Sequence, residues 1–307
     1  MNLSDNLAAL IYLKNKVHKW KNIALIFAIF SILLAIRFIF GGELSEDFVD
    51  GDYIANIKIE GVIFEDDFRS QILKKIAEEK SVKAVLINID SPGGGIVGSE
   101  ILFNNLREIS LLKPTVVLMG SLAASGGYMA SIASDHIIAH NGTLTGSIGV
   151  LMESHEITEL ANKIGVRFRT YKSSPLKGSP SPFEKTNPLV ENVIKESIDD
   201  SHKFFSDLVT QRRGKKINPK LINEVFDGRV FTGRQALKAG LIDEIGDTKE
   251  AIAYLSSQKI DVKKLPLKEV KISKQEDKIF DKIFGILPFF NNSMDGKHDN
   301  QIMAIIR

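Results

Sequence analysis

The chain has no cysteine and a single tryptophan among its 307 residues. The lack of cysteine excludes disulfide bonds, a cysteine nucleophile and zinc sites made of thiolates. A His-Glu-x-x-His pattern is also missing, which argues against the zinc site that such a helix would carry. We therefore expect neither a metal ion nor a cofactor.

An excess of charge of one sign is missing as well. The 40 basic and 38 acidic residues leave a formal net charge of +2. Nucleic-acid-binding proteins usually carry a basic patch or stripe, so we expect no nucleic-acid partner. Hydrophobic residues make up 44% of the chain, which is enough for a sizeable core. The length indicates one large domain or two small ones.

One long apolar run lies near the N-terminus, at residues 23–40, with Arg37 as its only charged residue. At about 1.5 Å per residue, a helix of this length just crosses a hydrocarbon core of roughly 30 Å. The run is long for the core of a signal peptide, and no A-x-A cleavage pattern follows it. We expect one transmembrane helix here, rather than a cleaved signal peptide or a buried helix.

The charges that flank this run predict its orientation. Lys14, Lys16, Lys19 and Lys21 precede it, whereas residues 41–50 contain acidic but no basic side chains. Because positive charge is retained on the cytoplasmic side, the N-terminus is expected in the cytoplasm. The rest of the chain is then expected on the other side of the membrane.

Strand and helix patterns alternate after this segment. Hydrophobic patterning predicts strands at residues 53–60, 82–89, 115–119 and 136–139. Helical spacing predicts helices at residues 68–80, 97–110, 124–134, 157–164 and 188–213, and residues 143–149 are predicted to form a loop. This alternation is typical of βαβ units with a largely parallel sheet, so the predicted class is α/β.

Five regions are expected along the chain. They are a basic cytoplasmic N-terminus at 1–22, the anchor at 23–40, a linker at 41–51, a globular domain at 52–270 and a partly disordered extension at 271–307. The apolar stripe of the helix at 188–213 is expected to pack against the core or against a second copy of the chain. The pattern of the stripe does not choose between these two.

A segment of small residues around Ser125 has the features of a nucleophilic site. Residues 120–127 read GSLAASGG and lie between a predicted strand and a predicted helix. Ser125 would then lie at a helix N-terminus, where the helix dipole favours negative charge. The N–H groups of Gly126 and of the glycines at 93–95 could form an oxyanion hole. Spacing alone is equally compatible with close packing of a helix on a sheet.

The residue that would act as base is less evident. None of the five histidines after residue 51 lies in a recognisable triad pattern; they are His136, His140, His155, His202 and His298. A lysine acts as a base only when neutral, and burial or a nearby positive charge must lower its ordinary pKa of about 10.4. Lys177 lies in the stretch SSPLKGSPSPF, which contains no carboxylate and suits such a lysine.

Five sequence blocks resemble the signature of the signal peptide peptidase A family, peptidase family S49. They are DSPGGG at 90–95, GSLAASGGY at 120–128, TLTGSIGV at 143–150, KGSPSPF at 177–183 and DGRVFTG at 227–233. The blocks occur in the order of the family, between about residue 54 and residue 253. The length and the single apolar segment resemble the short, single-domain form.

The resemblance implies a membrane-anchored serine endopeptidase with a Ser–Lys dyad. Ser125 matches the nucleophile and Lys177 the general base, while Gly94 and Gly126 match the oxyanion-hole positions. The implied fold is crotonase-like, related to the Clp protease subunit, with the protease domain at residues 52–270.

Partners and location also follow from the resemblance. The implied substrates are signal peptides left in the membrane after preprotein processing, and family members form homo-oligomers. The implied location is the bacterial cytoplasmic membrane, crossed once, with the catalytic domain on the extracytoplasmic side. Whether Ser125 and Lys177 meet within one chain or across two is left open.

One residue departs from the family pattern, because Asp90 stands where the family usually has asparagine. We expect Asp90 to brace its turn differently without abolishing activity. Lys172 is the alternative base. Two other functions stay open, namely a crotonase-fold acyl-transfer enzyme acting on coenzyme A thioesters and an inactive membrane scaffold.

Overall fold

A computed structural model describes residues 16–17, 19–23, 25–31, 51–258, 260–262, 264–272 and 303–305. The chain divides into two compact units, Met1–Asp50 and Gly51–Arg307. In the first unit, the described residues between 16 and 31 are helical. None of the helices that the described residues form is long and apolar enough to cross a membrane. The predicted span at 23–40 extends beyond these residues, so the anchor stays a prediction.

The second unit is built on one sheet, which has nine strands among the described residues. The strands are β1 (Tyr53–Ile63), β2 (Val82–Gly95), β3 (Thr115–Ala124), β4 (His136–Ala139), β5 (Leu144–Gly146), β6 (Val230–Thr232), β7 (Glu244–Ile245), β8 (Leu267–Glu269) and β9 (Met303–Ile305). The main order is β6-β5-β3-β2-β1-β8, with β4 on β3 and β7, and β9 on β2. Among the strand pairs of the described residues, β5–β6 and β2–β9 are antiparallel and the others are parallel.

Helices connect the central strands, as the α/β prediction requires. They are α1 (Asp67–Glu78), α2 (Ile96–Leu112), α3 (Gly126–Ser131), α4 (Thr158–Lys163), α5 (Pro188–Arg213), α6 (Ile222–Val225), α7 (Gly233–Ala239) and α8 (Thr248–Ser257). The chain order β1-α1-β2-α2-β3, with all three strands parallel, forms two consecutive βαβ units. The predicted α/β class with a largely parallel sheet is confirmed.

The central strand β2 is covered on both faces. Ala84 and Leu86 belong to a buried cluster that Leu255 of α8 completes. Side chains alternate between the two faces of a strand, so Val85 and Ile87 point the other way, and they are also fully buried. A strand that is buried on both faces reads as a continuous apolar run, and this explains the sequence VLINI in this part of β2.

The strand β2 is longer than its sequence predicts. It continues through the glycines that follow Pro92, because Gly93 pairs with Val62 and Gly94 with Ile63 of β1. Backbone pairing with a neighbouring strand thus overrides the turn preference of the sequence. As a result, the glycine segment lies at the carboxyl end of the parallel strands, where ligands usually bind in α/β folds.

The prediction of a loop at residues 143–149 is wrong in part. Leu144–Gly146 form β5, which pairs with β3 on one side and with β6 on the other. Three residues are too few to show a hydrophobic period, and the hydrogen bonds of β5 come from strands that are distant in sequence. Tertiary pairing therefore creates this strand.

The long helix α5 has the predicted bounds, Pro188–Arg213, with Asn187 as its N-cap and proline in the first turn. Its buried residues are Val190, Phe205, Val209 and Arg213. Leu189 and Val193 are 51% and 38% exposed, so the apolar stripe is buried only in part. A role in contacts between copies of the chain stays a prediction.

A buried ion pair fastens the C-terminal end of α5. The Arg213 guanidinium donates to both carboxylate oxygens of Asp243 at 2.9 Å, and the side chains are 4% and 10% exposed. Asp243 also accepts from Lys216 and from the Ile137 N–H of β4. Burial acts to raise the pKa of Asp243, but Arg213, Lys216 and Ile137 outweigh it and hold this pKa below its ordinary value.

We expect Asp243→Asn to lower the free energy of unfolding by about 3 kcal/mol, because it leaves Arg213 buried without its counter-charge. The wild type should also lose stability as the pH falls below about 4, since the folded state then has to protonate a carboxyl whose pKa is depressed. Urea unfolding followed by circular dichroism measures both effects. Glu269→Gln, which removes the exposed pair with Lys58, is the control and should change stability by less than about 1 kcal/mol. Equal effects of the two changes would contradict this assignment.

Candidate active site

A sharp turn at Ser125 joins β3 to α3. Ser125 has φ 53° and ψ −119°, a backbone region that residues other than glycine seldom occupy. Its N–H donates to the Gly146 carbonyl at 2.8 Å, and its carbonyl accepts from the Met129 N–H at 2.9 Å. The surrounding hydrogen bonds therefore hold a strained residue at a strand-to-helix turn. Such turns present nucleophiles in several hydrolase folds.

The Ser125 hydroxyl is buried and has no hydrogen-bond partner among the described residues. The residue is fully buried, and its Oγ has no hydrogen-bond partner in the part of the chain that the structure describes. Leaving a buried hydroxyl unpaired costs about 1–3 kcal/mol, so such groups are rare in native proteins. The hydroxyl is available to a base and to a substrate, as a nucleophile has to be.

Two glycine segments close around the start of α3. A side chain at Gly126 would lie 2.2 Å from Ser99 Oγ and 3.2 Å from the Cα atom of Gly93. A side chain at Gly94 would lie 1.9 Å from the Ile63 carbonyl oxygen. Only glycine allows this close approach. The structure thus brings Ser125 and Gly126 next to the β2 segment that contains Gly94, and the assignment of Gly94 and Gly126 as oxyanion donors stays a prediction.

Two further serines lie close to this turn and were not assigned from the sequence. Ser147, with φ 50°, follows the residue whose carbonyl accepts from the Ser125 N–H. Ser99 is fully buried against Gly126, and its Oγ has no partner among the described residues. Ser147 reaches the site through the β3–β5 pairing and Ser99 through the packing of α2 on α3. The sequence shows neither of these contacts.

The predicted base, Lys177, makes no hydrogen bond to the Ser125 hydroxyl. Its side chain is exposed, whereas Ser125 Oγ is buried and has no partner among the described residues. The backbone N–H of Lys177 donates to the Ser174 carbonyl at 3.2 Å, which makes a turn. Within one chain, the structure therefore brings Ser125 and the glycine segments together and leaves Lys177 exposed.

The alternative base, Lys172, is already engaged. Its ammonium forms an ion pair with Glu184 and donates to Ser179 Oγ at 3.0 Å. The hydrogen bond from Lys172 is the main cause that lowers the pKa of Glu184. The Lys172 ammonium is thus held by partners of its own segment, away from Ser125 Oγ, which has no hydrogen-bond partner among the described residues.

The described histidines do not provide a base either. His136 stacks on Tyr254 with the ring centroids 4.2 Å apart, and its Nε2 lies 3.3 Å from Glu244. Because Ser125 Oγ has no partner, no described histidine is within hydrogen-bond distance of it. His298 lies outside the described residues. The described part of the chain also has no group of three or more His, Asp or Glu side chains arranged to hold a metal ion.

Comparison with known proteins gives a consistent family assignment. The sequence model of peptidase family S49 matches residues 108–263. A candidate protease of Synechocystis is 37% identical over 200 residues, which are 64% of this chain and 71% of that protein. A candidate signal peptide peptidase SppA of Enterococcus faecium is 38% identical over 61% of this chain and 54% of its own length. The chloroplastic serine protease SPPA of Arabidopsis thaliana is 33% identical over 70% of this chain and 32% of its own length.

Proposed function

The chain belongs to peptidase family S49, and we propose that it is a serine endopeptidase in which Ser125 is the nucleophile and Lys177 the general base. The observation that carries the proposal is the buried hydroxyl of Ser125, which has no hydrogen-bond partner among the described residues and lies on a strained turn directly before Gly126, where Gly93 approaches closely. The proposed reaction is acyl transfer. Ser125 Oγ attacks a peptide carbonyl while neutral Lys177 takes the hydroxyl proton, and Lys177 then activates the water that hydrolyses the acyl-enzyme.

The oxyanion would form between the two glycine segments. The N–H of Gly126 belongs to the first turn of α3, where amides lack partners within the helix. Gly94 approaches from β2 and can add a second donor. Donors held in place by the fold need no reorganisation during the reaction, and removing one of them typically lowers kcat by about 10²–10³.

The edge of β2 beside the turn accepts an extended chain. Met303–Ile305 form β9, which pairs antiparallel with Gly93–Gly95, with Ala304 opposite Gly94. An extended peptide can add to an open sheet edge by backbone hydrogen bonds alone. A peptide substrate on the same edge would lie along the proposed oxyanion donor. The position of β9 therefore supports a peptide as substrate.

We further propose that Lys177 serves the Ser125 of a neighbouring copy. The lysine is exposed within its own chain, while Ser125 Oγ has no partner among the described residues. Several apolar side chains near Lys177 in the sequence are exposed. Phe168, Leu176 and Phe183 are 41%, 40% and 44% exposed. Their burial in a homo-oligomer would also desolvate Lys177 and favour the neutral form that a base requires.

The proposed substrates are apolar signal peptides left in a membrane. The similarity to a candidate signal peptide peptidase and the apolar run at 23–40 support this proposal. An anchored enzyme and its substrates would share one bilayer, with the catalytic domain on the extracytoplasmic side of the bacterial cytoplasmic membrane. The proposed fold of that domain is the Clp-protease-like one.

The test is a parallel assay of two substrate classes on the full chain in detergent. We expect the chain to cleave an apolar signal peptide within its hydrophobic core, with the products identified by mass spectrometry. We expect no hydrolysis of acyl-coenzyme A thioesters. Thioester hydrolysis without peptide cleavage would support the crotonase-type acyl-transfer enzyme instead. If the folded chain forms oligomers but hydrolyses neither substrate, the result favours an inactive membrane scaffold.

A further inference from the structure

We propose that Asp90 is a positioning residue for the nucleophile Ser125. Its carboxylate fixes the backbone of a bulge in β3, at residues 120–122, and the position of this bulge determines the position of Ser125. The inference rests on the proposed function for its effect on catalysis. Asp90 lies at the exposed end of the regular β2–β3 ladder and takes part in no ion pair within the described residues. Its side chain is therefore available for a local task in the backbone.

The bulge is visible in the register of the two strands. Ile89 pairs with Met119, and the next pair is Ser91 with Ala123. Two steps along β2 thus correspond to four steps along β3. The extra residues of β3 cannot form the ordinary ladder, so their backbone groups need other partners.

At the same bulge, β3 changes its neighbour on the other edge. It pairs with β4 as far as Met119 and with β5 from Leu122 onward. This second pairing continues to Ala124 opposite Gly146, whose carbonyl then accepts from the Ser125 N–H at 2.8 Å. The position of Ser125 therefore depends on how the bulge is held.

Side chains hold the bulge from both edges. Asp90 Oδ1 accepts from the Leu122 N–H at 3.0 Å, and Thr143 Oγ1 donates to the Gly120 carbonyl at 2.7 Å. Asp90 also lies flat against Gly120, since a Cβ atom there would be 3.1 Å from its Cβ, Cγ and Oδ2 atoms. Asp90 replaces the acceptor that the interrupted ladder no longer supplies.

The interaction needs an acceptor at Oδ1, and it does not need a charge. Asparagine has the same carbonyl acceptor in the same place, so Asp90→Asn should keep the bulge. Leucine has a similar shape without an acceptor, so Asp90→Leu should release the Leu122 N–H and let Ser125 shift. A displacement of about 1 Å at a reacting group can lower the rate by roughly 10²-fold.

Peptidase kinetics of the full chain test the proposal. We expect Asp90→Leu to lower kcat by about 10- to 100-fold with KM nearly unchanged, and Asp90→Asn to restore the wild-type kcat. Glu60→Leu is the matched control, because Glu60 is exposed, lies opposite Asp90 on β1 and makes no bond to the bulge. A normal kcat in Asp90→Leu, or equal losses in Asp90→Asn and Asp90→Leu, would overturn the proposal. A change confined to KM would do the same, since it indicates a substrate contact.

A second readout keeps the proposal separate from the proposed function. Hydrogen exchange at the Leu122 amide reports the bond to Asp90 whether or not the chain cleaves peptides. We expect faster exchange in Asp90→Leu and wild-type exchange in both Asp90→Asn and Glu60→Leu. Unchanged exchange in Asp90→Leu would show that the carboxylate does not hold the bulge, and would reject the inference even for an inactive chain.

Discussion

Ser125→Ala is expected to lower kcat on signal-peptide substrates by a factor on the order of 10⁶, to the limit of the assay. The reason is chemical, because the variant keeps the glycine segments but has no oxygen to form the acyl-enzyme. Stability should not fall. The hydroxyl that is removed is buried without a partner among the described residues, so its desolvation is not offset in the folded state. Mass spectrometry of the cleaved peptides measures kcat, and thermal unfolding measures stability.

The matched control is Ser256→Ala on α8. Ser256 Oγ donates to the Ile252 carbonyl one turn earlier, on an exposed face away from the site. Its kcat should equal that of the wild type. Peptide hydrolysis that persists in Ser125→Ala would reject Ser125 as the nucleophile. If Ser125→Ala lost both activity and melting temperature, the loss of activity would instead be explained by a role of Ser125 in packing.

Lys177→Ala is expected to lower kcat by about 10³-fold or more, because a serine hydroxyl without a base is a weak nucleophile. The variant should fold normally, since the Lys177 side chain is exposed and has no partner among the described residues. Lys172→Ala is the matched control from the same segment. It removes the ion pair with Glu184 and should leave most of the activity. Loss of activity in Lys172→Ala, with activity retained in Lys177→Ala, would assign Lys172 as the base.

Mixing two inactive variants tests whether the dyad forms between chains. When Ser125→Ala and Lys177→Ala chains are unfolded, combined in equal amounts and refolded together, sites shared between neighbours regain about one quarter of the wild-type activity, if assembly is random. Sites contained in one chain regain none. The control is the same pair of variants mixed without unfolding, which shows whether assembled oligomers exchange chains by themselves. An inactive mixture that has the wild-type oligomer size would exclude the arrangement across chains.

The α/β class was predictable because it depends on local pattern. Alternation of apolar and polar residues predicted β1, short β-rich apolar stretches predicted β2, β3 and β4, and α5 has the predicted bounds. The strand β5 was not predictable, since a run of three residues has no period and its partners lie far away in sequence. The strand β9 was missed for the same reason, as its pairing with Gly93–Gly95 joins segments that are about 200 residues apart.

The sequence by itself determined which residues are candidates for the chemistry. The small residues around Ser125 and the glycines at 93–95 indicated a candidate nucleophilic site, and the resemblance of five sequence blocks to a peptidase family added Lys177 as the candidate base. The tertiary structure decided how these residues are arranged. The bulge in β3, where the Leu122 N–H donates to Asp90, and the pairing with β5 lead to Ser125 and to the close approach of Gly126 to Gly93, whereas Lys177 stays exposed. Side-chain chemistry is a property of each residue, but burial and proximity arise only from pairings between strands that are distant along the chain.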